Sequence, residues 1–176
     1  IIGAGLVGSL WAVYLSRAGY QVSIFERRSD IRNADISAGK SINLALSTRG
    51  WKALKGAKVD DLVKEIALPI KGRAMHDQNN NLSFQPYGQE GQFIYSVSRA
   101  GLNAKMLSIA EDTNNVEISF NHQCIGANLE EGIVYLKDTQ TGKEETHKSD
   151  VIFGTDGAFS AIRYNALQKL NRFNYS

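Results

Sequence analysis

Gly3, Gly5 and Gly8 follow directly on the apolar pair Ile1-Ile2. Gly-x-Gly-x-x-Gly after β-branched residues predicts a strand that turns sharply into a helix. Gly3 permits the turn, Gly5 lets backbone approach a phosphate, and Gly8 lets helix and strand pack closely. The free N–H groups at the start of such a helix hold a pyrophosphate. Glu26 comes after Phe25 and eighteen residues past Gly8, where a carboxylate receives the hydroxyls of an adenosine ribose. Its charge repels a 2′-phosphate, so the tightly held dinucleotide is expected to be FAD or NAD rather than NADP. A second glycine turn, Gly154-Thr155-Asp156-Gly157, is followed by Ser160 and Arg163.

Other chemistry has little support. His76, His122 and His147 have no partners at metal-ligand spacing, so no metal site is expected. The single cysteine, Cys124, excludes an internal disulfide and is expected to be a buried small hydrophobe rather than a nucleophile. The 20 basic and 18 acidic residues leave +2, too little to argue for nucleic acid. No apolar run approaches the length of a membrane span. The 176 residues suit one domain, but both ends read as incomplete. There is no initiator Met, only two residues precede the glycines, and Asn171–Ser176 closes no element.

The elements that must position these residues can be read in order. Leu6, Leu10, Tyr14 and Ala18 predict a helical face, with Ala12 as a small residue one turn past Gly8. Gly19 ends that helix, and residues 21–25 alternate as a strand. Residues 29–40 are expected to form a loop, and 41–46 an alternating segment. Ser47 starts a helix over Trp51 to Leu54. A second helix, bearing Val59, Leu62, Val63 and Ile66, is expected to break at Pro69. Residues 70–75 and 82–85 read as strands around an Asn-rich turn, and 92–97 as another. Ser98 caps a helix carrying Leu102, Met106, Leu107 and Ala110. A β-meander follows from Val116 onward, with turns at Glu130-Glu131-Gly132 and Thr141-Gly142. Val151-Ile152-Phe153 is expected to be a last buried strand. A plain nicotinamide dehydrogenase would keep alternating strand and helix, so the strand-rich insert points to a flavoprotein.

The ordered set Gly154-x-Asp156-Gly157-x-x-Ser160-x-x-Arg163 resembles the second fingerprint of the single-component flavin-dependent aromatic hydroxylases. Within that family the chain is most similar to the branch that hydroxylates kynurenine. That similarity rests on Lys40 to Ser47, Arg49-Gly50, Lys71-Gly72-Arg73-x-Met75-His76 and Pro86-Tyr87-Gly88. It continues in Ser96 to Asn103, Phe120-Asn121-His122, Asp156 to Ser160 and Arg172 to Ser176. The resemblance implies an α/β, Rossmann-like FAD-binding domain with a β-meander and an inserted strand-rich substrate region. Residues 1–176 would form its N-terminal part, with 68–98 contributing to the substrate-binding sheet. It implies FAD as cofactor, NADPH or NADH as transient reductant, and L-kynurenine and dioxygen as reactants in tryptophan degradation.

By the same resemblance, Gly3, Gly5, Val7, Gly8, Phe25, Glu26, Arg27, Arg28, Ala45, Arg99, Cys124 and Asp156 are cofactor-contact positions. Several of these act through backbone alone, and Arg28 is equally well read as solvated. Arg73 and Tyr87 match a clamp on the substrate carboxylate. No protein acid, base or nucleophile is implied, because the flavin carries the chemistry. The family's third fingerprint, a Gly-Asp pair, and its C-terminal helices lie downstream of these residues, so the isolated chain is expected not to turn over. Bacterial members are soluble, and eukaryotic ones carry a C-terminal mitochondrial anchor. Two readings stay open. One is another aromatic-ring hydroxylase of this fold, which should lack the Arg73/Tyr87 pair. The other is a dinucleotide-binding module without turnover.

Overall fold

A computed structural model describes residues 1–33 and 42–169. Most of the expected 29–40 loop and the matched residues 40–41 and 172–176 lie outside the described residues. The elements in chain order are α1 (Leu6–Arg17), β1 (Val22–Phe25), β2 (Asn43–Leu46), α2 (Thr48–Gly56), α3 (Asp60–Lys64), β3 (Leu68–Ile70), β4 (Gly72–His76), β5 (Leu82–Pro86) and β6 (Ile94–Ser98). After these come α4 (Arg99–Glu111), β7 (Val116–Ser119), β8 (His122–Asn128), β9 (Ile133–Asp138), β10 (Glu144–Lys148) and α5 (Ala161–Lys169). The chain divides into two compact units, one of residues 1–35 and 106–176, the other of 36–105.

In the first unit, β1 pairs in parallel with β7, from Val22 opposite Val116 to Phe25 opposite Ser119. Helix α1 connects Ile2 to β1 and packs on β1 and β7. It buries Gly8, Ser9, Ala12, Val13 and Ser16. The expected face of Leu6, Leu10, Tyr14 and Ala18 is therefore displaced: the first three are half-buried and Ala18 is exposed. A helix that must lie close on a strand presents its small residues, whatever the placement of its larger apolar ones. Gly19, at φ +91°, ends the helix as expected. Tyr20 N–H donates to the Leu15 carbonyl and Gly19 N–H to that of Ser16, the paired bonds of a Schellman cap.

The meander β8-β9-β10 is antiparallel, with a bulge between Cys124 and Gly126. Its inward residues Cys124, Ala127, Val134 and Leu136 form one core with Ile2, Phe25 and Ile162. Val151-Ile152-Phe153 is not the buried strand expected: Val151 is 62% exposed, and only a single bridge, Gly154 to Ile2, forms there.

In the second unit, β6 is flanked antiparallel by β2 and β3, while β4 and β5 pair only with each other. The expected 70–75 strand is thus two strands in different sheets. Ser47 caps α2, its Oγ accepting from Gly50 N–H at 3.3 Å. Helix α3 ends at Lys64, before Pro69 can break it, and Pro69 lies within β3. Pro69 faces Tyr95 there, an edge-strand place that its missing N–H allows. Val97, Leu54, Val59, Val63 and Leu102 are buried in this unit. No helix among the described residues is long and apolar enough to cross a membrane.

One ion network ties the stretch after β1 to its surroundings in the first unit. Arg32 Nε donates to Asp30 at 2.9 and 3.0 Å, and Nη2 at 2.6 Å, while Nη1 reaches Glu111 at 2.6 Å. The guanidinium also lies 5.7 Å from the Phe120 ring centroid. These bonds hold the Asp30 carboxyl below its ordinary range. Its contribution is therefore present above the unfolded pKa of about 4 and is lost as pH falls through the lower folded value. Arg32→Met should destabilise the fold at neutral pH by about 1–3 kcal/mol. The difference from wild type should shrink at about pH 3, as measured by denaturant unfolding at both pH values.

Candidate functional site

Ile2 lies between two parallel neighbours, Phe25 on one side and Gly154 on the other. Ile2 N–H donates to the Phe153 carbonyl and Thr155 N–H to the Ile2 carbonyl, both at 2.8 Å; on the other side Gly3 N–H donates to the Phe25 carbonyl at 2.8 Å. One connection leaves this strand for its β1 side, and the later segment arrives on the opposite side. The carboxyl ends of the strands thus open a crevice at the switch point, the usual ligand position in an open α/β sheet.

The three glycines do different work there. Gly3 has φ +97°, and a Cβ on it would lie 2.8 Å from the Thr155 carbonyl oxygen and 2.9 Å from Asp156 Cα. A Cβ on Gly8 would fall 2.0 Å from the Gly3 carbonyl oxygen and 2.7 Å from Thr155 Oγ1. Around Gly5 there is nothing within 4 Å, and its φ of −72° suits any residue. Gly3 and Gly8 are thus required by packing inside the protein, while Gly5 keeps space open outside it. Gly5 is also the N-cap of α1, which has no side-chain cap and no acidic residue in its first turn. The first N–H groups of the helix therefore face that space with a positive dipole end, an arrangement that suits a pyrophosphate.

The second turn is fastened to the first. Thr155 Oγ1 donates to the carbonyls of Ile2 at 2.9 Å and Gly3 at 2.7 Å. Asp156 Oδ2 accepts from Ala161 N–H at 2.7 Å, and Ser160 Oγ from Arg163 N–H at 2.9 Å, so both cap α5. Arg163 returns to the carbonyls of Gly157 and Ala158. Sequence reasoning missed this internal role of Thr155, Ser160 and Arg163; a Ser three residues before a helical N–H donor was the available signal. Asp156 Oδ1 is buried without a hydrogen-bond partner among the described residues. An enclosed carboxylate oxygen of this kind calls for a donor from outside these residues.

Glu26 is held on the same turn. Its Oε2 accepts from Ala4 N–H at 2.9 Å and Oε1 from Arg28 N–H at 3.0 Å. Each oxygen retains acceptor capacity for a ribose hydroxyl. Val7 is 68% exposed on the first turn of α1, and Arg27 and Arg28 are exposed. Phe25 and Cys124 commit their side chains to the core. Cys124 Sγ donates to the Gly126 carbonyl at 3.4 Å, and burial pushes its thiol pKa up, which suppresses nucleophilicity. No cluster of metal-ligating side chains occurs among the described residues. A hollow lined by Ile1, Ile2, Leu15, Tyr20, Val22 and Val151 lies beside the residues that lead into this turn.

The remaining candidates belong to the second unit. Ala45 pairs with Ser96 in the β2–β6 ladder, which fixes its backbone. Arg99 opens α4, donating its N–H to the Ile42 carbonyl at 3.0 Å with its side chain exposed. Arg73 on β4 faces Gln85 on β5, and Tyr87 N–H donates to the Lys71 carbonyl at 3.0 Å, extending the ladder by one rung. Alternation along the strands places Arg73, Gln85 and Tyr87 on one face of this ribbon. Both Arg73 and Tyr87 are exposed.

Gly5→Ala and Gly8→Ala should separate ligand contact from packing. Gly5→Ala should leave the thermal unfolding of the apoprotein unchanged but weaken FAD binding about tenfold or more, roughly 1.4 kcal/mol. Gly8→Ala should lower apoprotein stability by about 1–3 kcal/mol through overpacking. Calorimetry and FAD titration check the pair, and equal stability loss in both would contradict the assignment of the open space at Gly5.

The model of the FAD binding domain family matches residues 1–174. Among curated proteins, the chain is 47% identical over 176 residues to kynurenine 3-monooxygenase of Flavobacterium johnsoniae, and 44% identical to that of Christiangramia forsetii. All of this chain and 39% of each relative are covered. The protein of that name from Anopheles gambiae is 41% identical over 177 residues, with 36% of its length covered. The chain therefore spans about two fifths of the length of these relatives. Among solved structures, 2-methyl-3-hydroxypyridine-5-carboxylic acid oxygenase superposes with TM-score 0.71 at 26% identity, over 94% of this chain and 40% of that one. The flavin-dependent monooxygenase PieE, in complex with FAD and substrate, shares the fold at TM-score 0.74 and 17% identity, over 97% of this chain and 31% of that one. With the glycine turn, Glu26 past β1 and the second turn in these places, the chain belongs to the FAD-binding domain family.

Proposed function

We propose that this chain is the FAD-binding, N-terminal portion of a kynurenine 3-monooxygenase, which hydroxylates L-kynurenine at the expense of NADPH or NADH and dioxygen. The observation that carries the reading is the shared face of Arg73 and Tyr87 in a chain 41–47% identical along its length to proteins of that name. An amino acid on an aryl ketone offers a carboxylate, which suits a guanidinium fork and one hydroxyl donor. FAD, when bound, supplies the activated oxygen. The protein's part is to place the aromatic carbon and keep water away.

The first unit holds the cofactor, with the α1 N-terminus at the pyrophosphate and Glu26 at the ribose. Val7, Phe25, Arg27, Arg28 and Cys124 stand at further cofactor contacts in that unit, mostly through backbone or, for the arginines, through charge, while Ala45 and Arg99 of the second unit keep the roles that the resemblance implies. Asp156 offers its free oxygen to a cofactor hydroxyl or an intervening water. Residues 68–98 supply the substrate-facing strands. Another aromatic-ring hydroxylase of the same fold would not need the Arg73/Tyr87 pair.

In the full-length enzyme, Arg73→Met should raise the kynurenine dissociation constant strongly, by about 2–5 kcal/mol if the carboxylate is desolvated. FAD content should not change. Tyr87→Phe should cost about 0.5–1.5 kcal/mol, because one neutral donor is lost and shape is kept. Both variants should also lose substrate-stimulated flavin reduction. Loss of FAD with normal kynurenine binding in Arg73→Met would move the ribbon to the cofactor site.

A further inference from the structure

Arg73 Nε donates to Gln85 Oε1 at 2.7 Å. We propose that Gln85 is the positioning residue for Arg73, holding its guanidinium so that the two terminal nitrogens take the substrate carboxylate end-on. This rests on the carboxylate-clamp reading given above and adds a residue and a geometry to it. Arg73 and Gln85 are direct cross-strand partners in β4–β5. The rung beside them is tight. A Cβ on Gly72 would lie 2.4 Å from the Gln85 carbonyl oxygen and 2.5 Å from the Phe84 ring, so register at this point cannot slip without a clash.

An exposed arginine has several rotatable bonds and sweeps a wide volume unless something fixes it. Guanidinium can meet a carboxylate side-on, through Nε and one Nη, or end-on, through both Nη atoms. With Nε engaged by Gln85, the side-on mode is closed and the end-on mode remains. The holder is a neutral amide, and Arg73 makes no ion pair with a carboxylate among the described residues. Its full charge is therefore kept for the ligand. A glutamate at position 85 would hold the same nitrogen but would also neutralise it, competing with the substrate. Tyr87 follows Gln85 on the same face, two rungs along, where its hydroxyl can serve the same carboxylate.

Gln85→Glu and Gln85→Leu in the full-length enzyme test this, beside Arg73→Met. Binding is measured for L-kynurenine and for 2-aminoacetophenone, an aryl ketone that lacks the amino-acid carboxylate, with FAD content as the folding control. For L-kynurenine, Gln85→Leu should weaken binding roughly 3–10-fold, as for one neutral hydrogen bond. Gln85→Glu should weaken it further, on the order of 10–100-fold, although it is nearly isosteric. The dissociation constant of 2-aminoacetophenone should hardly move in either variant. A residue that merely supports the hairpin would give the reverse order, with Leu worse than Glu, and would affect both ligands alike. That order, or wild-type kynurenine binding in Gln85→Glu, overturns the proposal. If Arg73→Met weakens kynurenine while both Gln85 variants bind normally, only the role of Gln85 falls. If Arg73→Met itself leaves kynurenine binding unchanged, the clamp reading falls and this inference with it.

Discussion

The contact between two glycine turns, separated by about 150 residues of chain, is the constraint on which the cofactor-binding unit depends. Gly3, Gly8 and Thr155 meet at distances that leave no room for one added carbon, and the Thr155 hydroxyl bonds the Ile2 and Gly3 carbonyls. The first turn can curve into α1 against the second only because Gly3 and Gly8 carry no side chain there. Around that point the strand order reverses and the carboxyl ends of the strands separate. The helix start at Gly5 is left open in the same place, with its N–H groups available. The internal fit and the external opening are two consequences of one close approach.

Charge is used sparingly at this site. The start of α1 presents backbone N–H groups and a positive dipole end that suit an anion, with no lysine or arginine in the turn itself. The carboxylate of Glu26 is tied by two backbone donors, Ala4 N–H on the turn and Arg28 N–H just past β1, which fixes its position beside the turn. Asp156 divides its work, one oxygen capping α5 and the other buried without a partner. The ion network Asp30–Arg32–Glu111 serves the fold rather than the glycine turn.

The β4–β5 ribbon follows another logic. One face carries Arg73, Gln85 and Tyr87, and the opposite face carries Leu82 and Phe84, which are 66% and 65% exposed. A two-stranded ribbon is marginally stable alone in water, so its register must be locked by local devices. The Gly72–Phe84 contact and the Asp77 turn do this, Asp77 Oδ1 accepting from Asn79 and Asn81 N–H. An exposed arginine on such a ribbon gains its orientation from a cross-strand partner rather than from burial.

The sequence by itself determined the features whose cause is local. Spacing alone placed the glycine turn, Glu26 past β1, the Gly19 stop, the Ser47 and Ser98 caps and the meander turns, because each depends on backbone conformation or a bond within a few residues. The family was legible too, since its fingerprints are short and ordered. Tertiary structure decided which face of α1 is buried, where small residues displaced the expected Leu6–Leu10–Tyr14 stripe. It also decided that residues 151–153 form one bridge instead of a strand, and that 68–76 divides between two sheets. The pairing of Thr155 with Gly3 and of Gln85 with Arg73 was likewise beyond reach. Periodicity reports that a face is apolar, but which atoms meet across distant segments depends on close packing among parts that no local pattern contains.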